Sequence, residues 1–126
     1  MSALEVEYQE TVEDRHGLPR GHRQTPVEVD GKTLWEDVTY DGHGAPVTVR
    51  LDGRASHSTA GVAFRDRRRD NAAELAGRAR LVYGWRDVHG MPCTVADEVR
   101  RILVREGWSP GDGRVPTCRQ CAPRRS

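Results

Sequence analysis

The sequence predicts an α/β domain in which a mixed β-sheet is flanked by helices, in the order α-β-β-β-α-β-α. Two stretches that alternate apolar and polar residues, Lys32–Tyr40 and Pro46–Asp52, indicate neighbouring strands. Apolar residues at helical spacing within Pro92–Glu106 indicate an amphipathic helix near the end of the chain. With 126 residues and a net charge of +1, the chain is long enough for one domain with a modest core.

Local signals predict the elements of the first half. A first helix is expected because apolar residues recur at every fourth position near the N-terminus, namely Leu4, Tyr8 and Val12. Ser2 followed by Glu5 fits a capping box, in which the acid reaches back to the amide at the helix start. Thr25–Asp30 alternates and ends at the turn signal Asp30-Gly31, so it predicts the first strand of an antiparallel meander.

The second half is predicted to contain a helix over Gly61–Ala76 and a short central strand over Arg78–Gly84. The helix begins with a run of charged residues, and its apolar positions are Ala72, Leu75 and Ala76. Tyr83 and Trp85 are expected in the core. From residue 109 the chain is rich in Pro, Gly and Arg without periodicity, which predicts a domain over residues 1–108 and a flexible tail over 109–126.

Strand alternation places Asp37 and Asp52 on the same side of the sheet if the two central strands pair, with Arg50 beside them. A sheet face that collects acids either faces solvent or binds a divalent cation. The spacing alone leaves both interpretations open.

The composition excludes several classes of protein. No apolar stretch resembles a secretory signal or a membrane span, so we expect a soluble, cytoplasmic protein without a membrane partner. Three cysteines are too few for a disulfide framework. Cys118 and Cys121 have C-x-x-C spacing, and His89 and Cys93 could complete a Zn²⁺ site with them, whereas free thiols in the tail are the alternative.

Three local motifs resemble the very-short-patch-repair (Vsr-like) endonuclease family, which has the restriction-endonuclease fold and acts in DNA repair. The first is S-x-L-E at residues 2–5. The second is an acid on the second strand followed by L-D-G-R-x-x-H, here Asp37, Leu51, Asp52, Gly53, Arg54 and His57. The third is R-D-R-R-x-D-N followed by G, L-x-Y and W, here Arg65–Asn71, Gly77, Leu81, Tyr83 and Trp85. The likeness extends from Ser2 to about Trp108 and is strongest to small relatives of actinobacterial type.

The resemblance implies a bacterial hydrolase that nicks double-stranded DNA with Mg²⁺, or with Mn²⁺ in its place. It assigns metal binding to Asp37, Asp52 and the backbone carbonyl of Leu51, and it adds Glu5 and His57 as catalytic residues. The residues it implies for DNA contact are Arg54, Arg65, Arg68, Arg69 and Asn71.

Arg50 departs from the family pattern, because close relatives have Glu at this position of the E-L-D-G motif. An arginine beside Asp37 and Asp52 competes with a metal ion for the same negative charge. The sequence therefore leaves three interpretations: a nuclease, either fully active or weakened by Arg50; a DNA-binding module without catalysis; or the partner of an abortive-infection or antitoxin-type system.

Overall fold

The computed structural model describes residues 2–24, 27–29, 32–53, 60–112 and 115–120 of the chain. The helices are α1 (Ala3–Glu7), α2 (Ala60–Leu75), α3 (Trp85–Gly90) and α4 (Pro92–Glu106), and α1 continues as a π-helical segment over Tyr8–Asp14. The strands are β1 (His22–Arg23), β2 (Val27–Val29), β3 (Lys32–Thr39), β4 (Val47–Asp52) and β5 (Ala79–Tyr83). Short 3₁₀ turns cover Asp41–His43 and Pro110–Asp112.

The strands form one mixed sheet in the order β1-β3-β4-β5, with β2 also paired to β3. β3 and β4 are antiparallel, and β4 and β5 are parallel because α2 returns the chain to the other end of the sheet. In the antiparallel pair, Asp37 lies opposite Arg50 and Trp35 lies opposite Asp52. This register puts these four residues on one face.

The opposite face of the sheet forms the hydrophobic core. It presents Val38, Tyr40, Val47, Val49 and Leu51 to the N-terminal helix and to α4. The helices contribute Leu4, Tyr8 and Val12 from the first turns of the chain and Val95, Val99 and Leu103 from α4. Each buried side chain of this size contributes roughly 1.5–3 kcal/mol to folding. The residues that recur at helical or strand spacing are therefore the ones that hold the layers together.

The mixed α/β architecture agrees with the prediction, and four details differ. β1 lies between the first helix and the first predicted strand, where no strand was predicted, and α3 follows β5 where no helix was predicted. Leu75, predicted as an apolar position of α2, is 88% exposed. Trp85, predicted in the core, is 45% exposed, because Gly84 starts α3 at once and turns Trp85 outward to stack on His89. Tyr83 is buried as predicted.

None of the helices in the described ranges is both long enough and apolar enough to cross a membrane.

Candidate functional site

The sheet face that carries Asp37 is occupied by ion pairs. As the alternation predicted, Asp37, Arg50 and Asp52 share this face. Arg50 Nε lies 3.4 Å from one carboxylate oxygen of Asp37, and Nη2 of Arg69 from α2 donates to the other. Arg50 is only 3% exposed, and its guanidinium carbon lies 5.1 Å from the centroid of the Trp35 ring. The Asp37 carboxylate therefore has a cation at each oxygen.

This arrangement does not fit a divalent cation at Asp37. A metal ion there would have to displace both Arg50 and Arg69 from the carboxylate, and their charges would repel it. Arg50 is buried against Trp35, so it cannot turn to solvent without opening a cavity. Arg69, which was predicted to contact DNA, forms an ion pair with Asp37 in the structure.

The other residues implied by the family resemblance lie in several places. The Leu51 side chain is in the core, and Asp52 ends β4 with its side chain half-buried. Arg68 and Asn71 are exposed on α2, while Arg65 belongs to the same helix without a described side chain. Arg54, His57 and Cys121 lie outside the described residues. Of the remaining predicted zinc ligands, Cys93 and Cys118 lie together, whereas His89 contacts Glu7 and Trp85.

A second acidic site lies on the other side of β3. Glu36 is the strand neighbour of Asp37 and therefore points to the opposite face, where it lies across from Leu51. There it is hydrogen-bonded to Glu5 and Ser2. Glu5 and Glu36 are both buried, at 6% and 5% exposure. The structure thus brings Glu5 to Glu36, and strand alternation directs Asp37 away from this pair.

Glu36 binds a proton more tightly than an ordinary glutamate does. Burial raises the pKa of Glu36 to about 6, and the hydrogen bond that its protonated form donates to Glu5 and the negative charge of Glu5 act in the same direction. Glu36 Oε2 is buried and has no hydrogen-bond partner among the described residues. A buried carboxylate oxygen without a partner is costly, so this position favours a proton or a cation.

Glu36 borders a cleft of about 1180 Å³ between the start of α1, the end of β4 and α3. The chemically active residues around the cleft are Glu36, Asp52, Arg86, Asp87 and His89, together with the exposed ring of Trp85. Asp87 caps α3 by accepting a hydrogen bond from the Gly84 amide at 2.9 Å. The cleft therefore combines carboxylates, an exposed arginine and an exposed aromatic ring.

A buried polar network holds Glu5 in place. Arg23 on β1 lies between the two acids of the first helix, with Nε 3.2 Å from Glu5 and Nη2 2.8 Å from Glu13. Glu13 accepts a hydrogen bond of 2.6 Å from the hydroxyl of Tyr40, which in turn contacts the hydroxyl of Tyr8 at 2.6 Å. Burial raises the pKa of both tyrosines, so they stay protonated and available as donors. The π-helical segment carries Glu13 into this network, and such segments are common at functional sites.

Glu36 was not predicted as a site residue, although strand alternation in the sequence indicates its position. Leu34, Val38 and Tyr40 predict one inward face of the strand, and Glu36 occupies the same face by alternation. An acid at an inward position of a strand is unusual, because a buried carboxylate needs a partner. Its neighbour Glu5 belongs to the first helix, and no local sequence pattern predicts a contact between the two residues.

No protein-family model matches the chain, and comparisons with curated proteins and with solved structures find no match. The resemblance to Vsr-like endonucleases therefore stays a prediction that rests on the sequence motifs.

Stability should depend on pH through Glu36. The folded protein binds this proton more tightly than the unfolded chain, since its pKa is about 6 against an ordinary value of 4.5. The contribution is therefore fully present below about pH 4.5 and is lost as the pH rises through about 6, at a cost of about 2 kcal/mol. Glu36→Gln lacks this titration, so its advantage over the parent should grow across that window. Urea denaturation of both proteins at several pH values measures this difference, and a difference independent of pH would contradict a raised pKa of Glu36.

Proposed function

We propose that the chain is a metal-dependent phosphodiesterase that acts on nucleic acid, with a restriction-endonuclease-like fold and its cation at Glu36 and Glu5. The observation that carries the proposal is the buried Glu36 carboxylate, which borders the cleft, lies beside Glu5 and keeps one oxygen without a described partner. Arg23 pairs with one oxygen of Glu5 and lies toward Glu13, whereas the neighbouring Glu36 oxygen has no described partner and is a suitable ligand for a divalent cation. The proposal moves the site from Asp37, which the resemblance implied, to Glu36.

The donor atoms define the kind of metal. Carboxylate oxygens are hard ligands that suit Mg²⁺ and Mn²⁺. When bound, such an ion polarises a phosphate and lowers the pKa of an attacking water. Glu36 would hold it in its ionised form, so we expect apparent metal affinity to weaken below about pH 6 as its pKa is passed.

The cleft and α2 support a nucleic-acid substrate. Arg86 is an exposed cation at the cleft, suited to a phosphate, and the exposed Trp85 ring offers a surface on which a base can stack. Arg67 and Arg68 are exposed on α2, where the resemblance implies contact with the backbone of double-stranded DNA.

A second candidate is a nucleic-acid-binding module without catalysis. The pairing of Asp37 with Arg50 and Arg69 favours it, because these cations stand where the resemblance places the metal. Such a module would bind nucleic acid through its exposed arginines and would not use a divalent cation for catalysis. The two candidates differ in whether Mn²⁺ binding and cutting depend on Glu36.

The test compares the parent with Glu36→Gln and with Glu74→Gln, an exposed glutamate on α2 that serves as a matched control. We expect the parent to bind Mn²⁺ and to nick supercoiled plasmid, and Glu36→Gln to lose at least roughly 100-fold in cutting rate. Glu74→Gln should match the parent. Calorimetry with Mn²⁺ and a plasmid-nicking assay provide the two measurements.

The outcomes separate the candidates. Equal cutting by Glu36→Gln and the parent would place the metal elsewhere. DNA binding that weakens with salt, without Mn²⁺-dependent cutting in the parent, would favour the binding module. The absence of DNA binding even at low salt would remove both.

A further inference from the structure

A histidine and two cysteines converge at the end of the first helix, away from the acidic cleft. One ring nitrogen of His16 and the sulfur atoms of Cys93 and Cys118 all lie within 4.8 Å of one another. His16 is 6% exposed and lies in the turn after the π-helical segment. Cys93 comes from the first turn of α4, and Cys118 comes from the C-terminal tail. Three separate parts of the chain therefore meet at this cluster.

The spacing of the sulfur atoms suits one particular class of metal. Cys93 Sγ and Cys118 Sγ are 3.6 Å apart. Two thiolates on a tetrahedral zinc ion, each at about 2.3 Å, lie about 3.8 Å from each other. One imidazole nitrogen and two sulfurs form a donor set for zinc, whereas Mg²⁺ prefers oxygen ligands. The cluster is thus chemically distinct from the carboxylates of the cleft.

Weak contacts hold the backbone of the tail where the structure places it. The backbone amides of Thr117 and Cys118 donate to the carbonyl of Arg15 at 2.8 and 2.9 Å. Hydrogen bonds of this kind contribute only about 0.5–1.5 kcal/mol each. Val115 is 81% exposed, and the neighbouring tail residues are exposed or half-buried, so apolar burial contributes little. Cross-links through cysteine side chains therefore contribute more to holding the tail than these contacts do, and Cys93 already takes part in a disulfide.

We propose that His16, Cys93 and Cys118 are three of the ligands of a zinc site that ties the C-terminal tail to the first helix and to α4. The site belongs to the reduced protein, because zinc binds thiolates and Cys93 is disulfide-bonded in the structure while Cys118 is a free thiol. Oxidation and zinc binding therefore compete for the same sulfur. The histidine ligand is His16 and not His89, whose Nδ1 lies 2.5 Å from Glu7.

Zinc content of the full chain tests the proposal. Protein purified with reductant and without chelator should hold about one equivalent of zinc, and a chelator should lower its melting temperature. Cys118→Ser, a change in the tail that leaves the core intact, should weaken zinc affinity more than about tenfold, since even partners of a metal ligand contribute that much. His16→Ala should also lose zinc, and His89→Ala, which changes the other histidine near α4, should keep it.

Three results would overturn the zinc site. The first is reduced parent protein that takes up no zinc when the metal alone is added. The second is Cys118→Ser that binds zinc as tightly as the parent. The third is zinc that is lost in His89→Ala and retained in a folded His16→Ala. Each of these results comes from a zinc-binding measurement and needs no nuclease assay. The zinc site can therefore be disproved independently of the proposed function.

Discussion

Glu13→Ala should lower the free energy of unfolding by about 3–5 kcal/mol, a large part of the stability of a domain of this size. Glu13 has no exposed surface and accepts hydrogen bonds from the Gly21 amide at 2.9 Å, from the Tyr40 hydroxyl and from Arg23. Removing the carboxylate leaves these donors without their acceptor, and it leaves the charge of Arg23 half-buried with only Glu5 to balance it. Urea denaturation near pH 7 measures the loss.

Glu10 supplies a matched control, since it is an exposed glutamate in the same π-helical segment. Glu10→Ala should change stability by less than about 0.5 kcal/mol. Glu13→Gln should fall between the two, because an amide oxygen still accepts hydrogen bonds but no longer balances Arg23. If Glu13→Ala and Glu10→Ala cost the same, the buried network does not stabilise the fold.

Asp37→Ala should destabilise the protein by a similar amount, about 3–5 kcal/mol. The reason is that Arg50 is almost fully buried and would lose the carboxylate that balances its charge. Asp41→Ala is the matched control, because Asp41 also pairs with an arginine, Arg78, yet its side chain is 54% exposed. The Arg78 guanidinium lowers the pKa of Asp41, but an exposed pair of this kind contributes at most about 1 kcal/mol.

The Asp37 experiment also separates two roles for this residue. If Asp37 balances Arg50 and Arg69, its removal lowers stability whether or not Mn²⁺ is present. If Asp37 is instead a metal ligand, as the family resemblance implied, its removal would leave stability without metal largely unchanged and would abolish stabilisation by Mn²⁺. Thermal unfolding of Asp37→Ala and the parent, with and without Mn²⁺, therefore distinguishes an ion-pair role from a metal site.

Patterns among residues close together in the chain were sufficient to predict most of the architecture. Alternation placed β3 and β4 within one or two residues, and it put Asp37, Arg50 and Asp52 on a common face before any register was known. Pro92–Glu106 was predicted with the bounds that the structure has, because Pro at the first position and Gly107 after the last mark its two ends. These features depend on residues close together in the chain.

Tertiary contacts determine which residues come together at the candidate sites. Glu36 pairs with Glu5 and His16 meets Cys118 across long separations in the chain, and no periodicity encodes such contacts. The packing of the layers determines which partner a charged side chain has. A buried charge is unfavourable because it loses its hydration, so it is stable only beside an opposite charge or after it has gained or lost a proton. Arg69 could thus be read as a DNA contact from its helix alone, whereas the packing of α2 brings it to Asp37. The sequence indicated which residues carry charge, and the packed fold determined which of those charges are paired and which face the cleft.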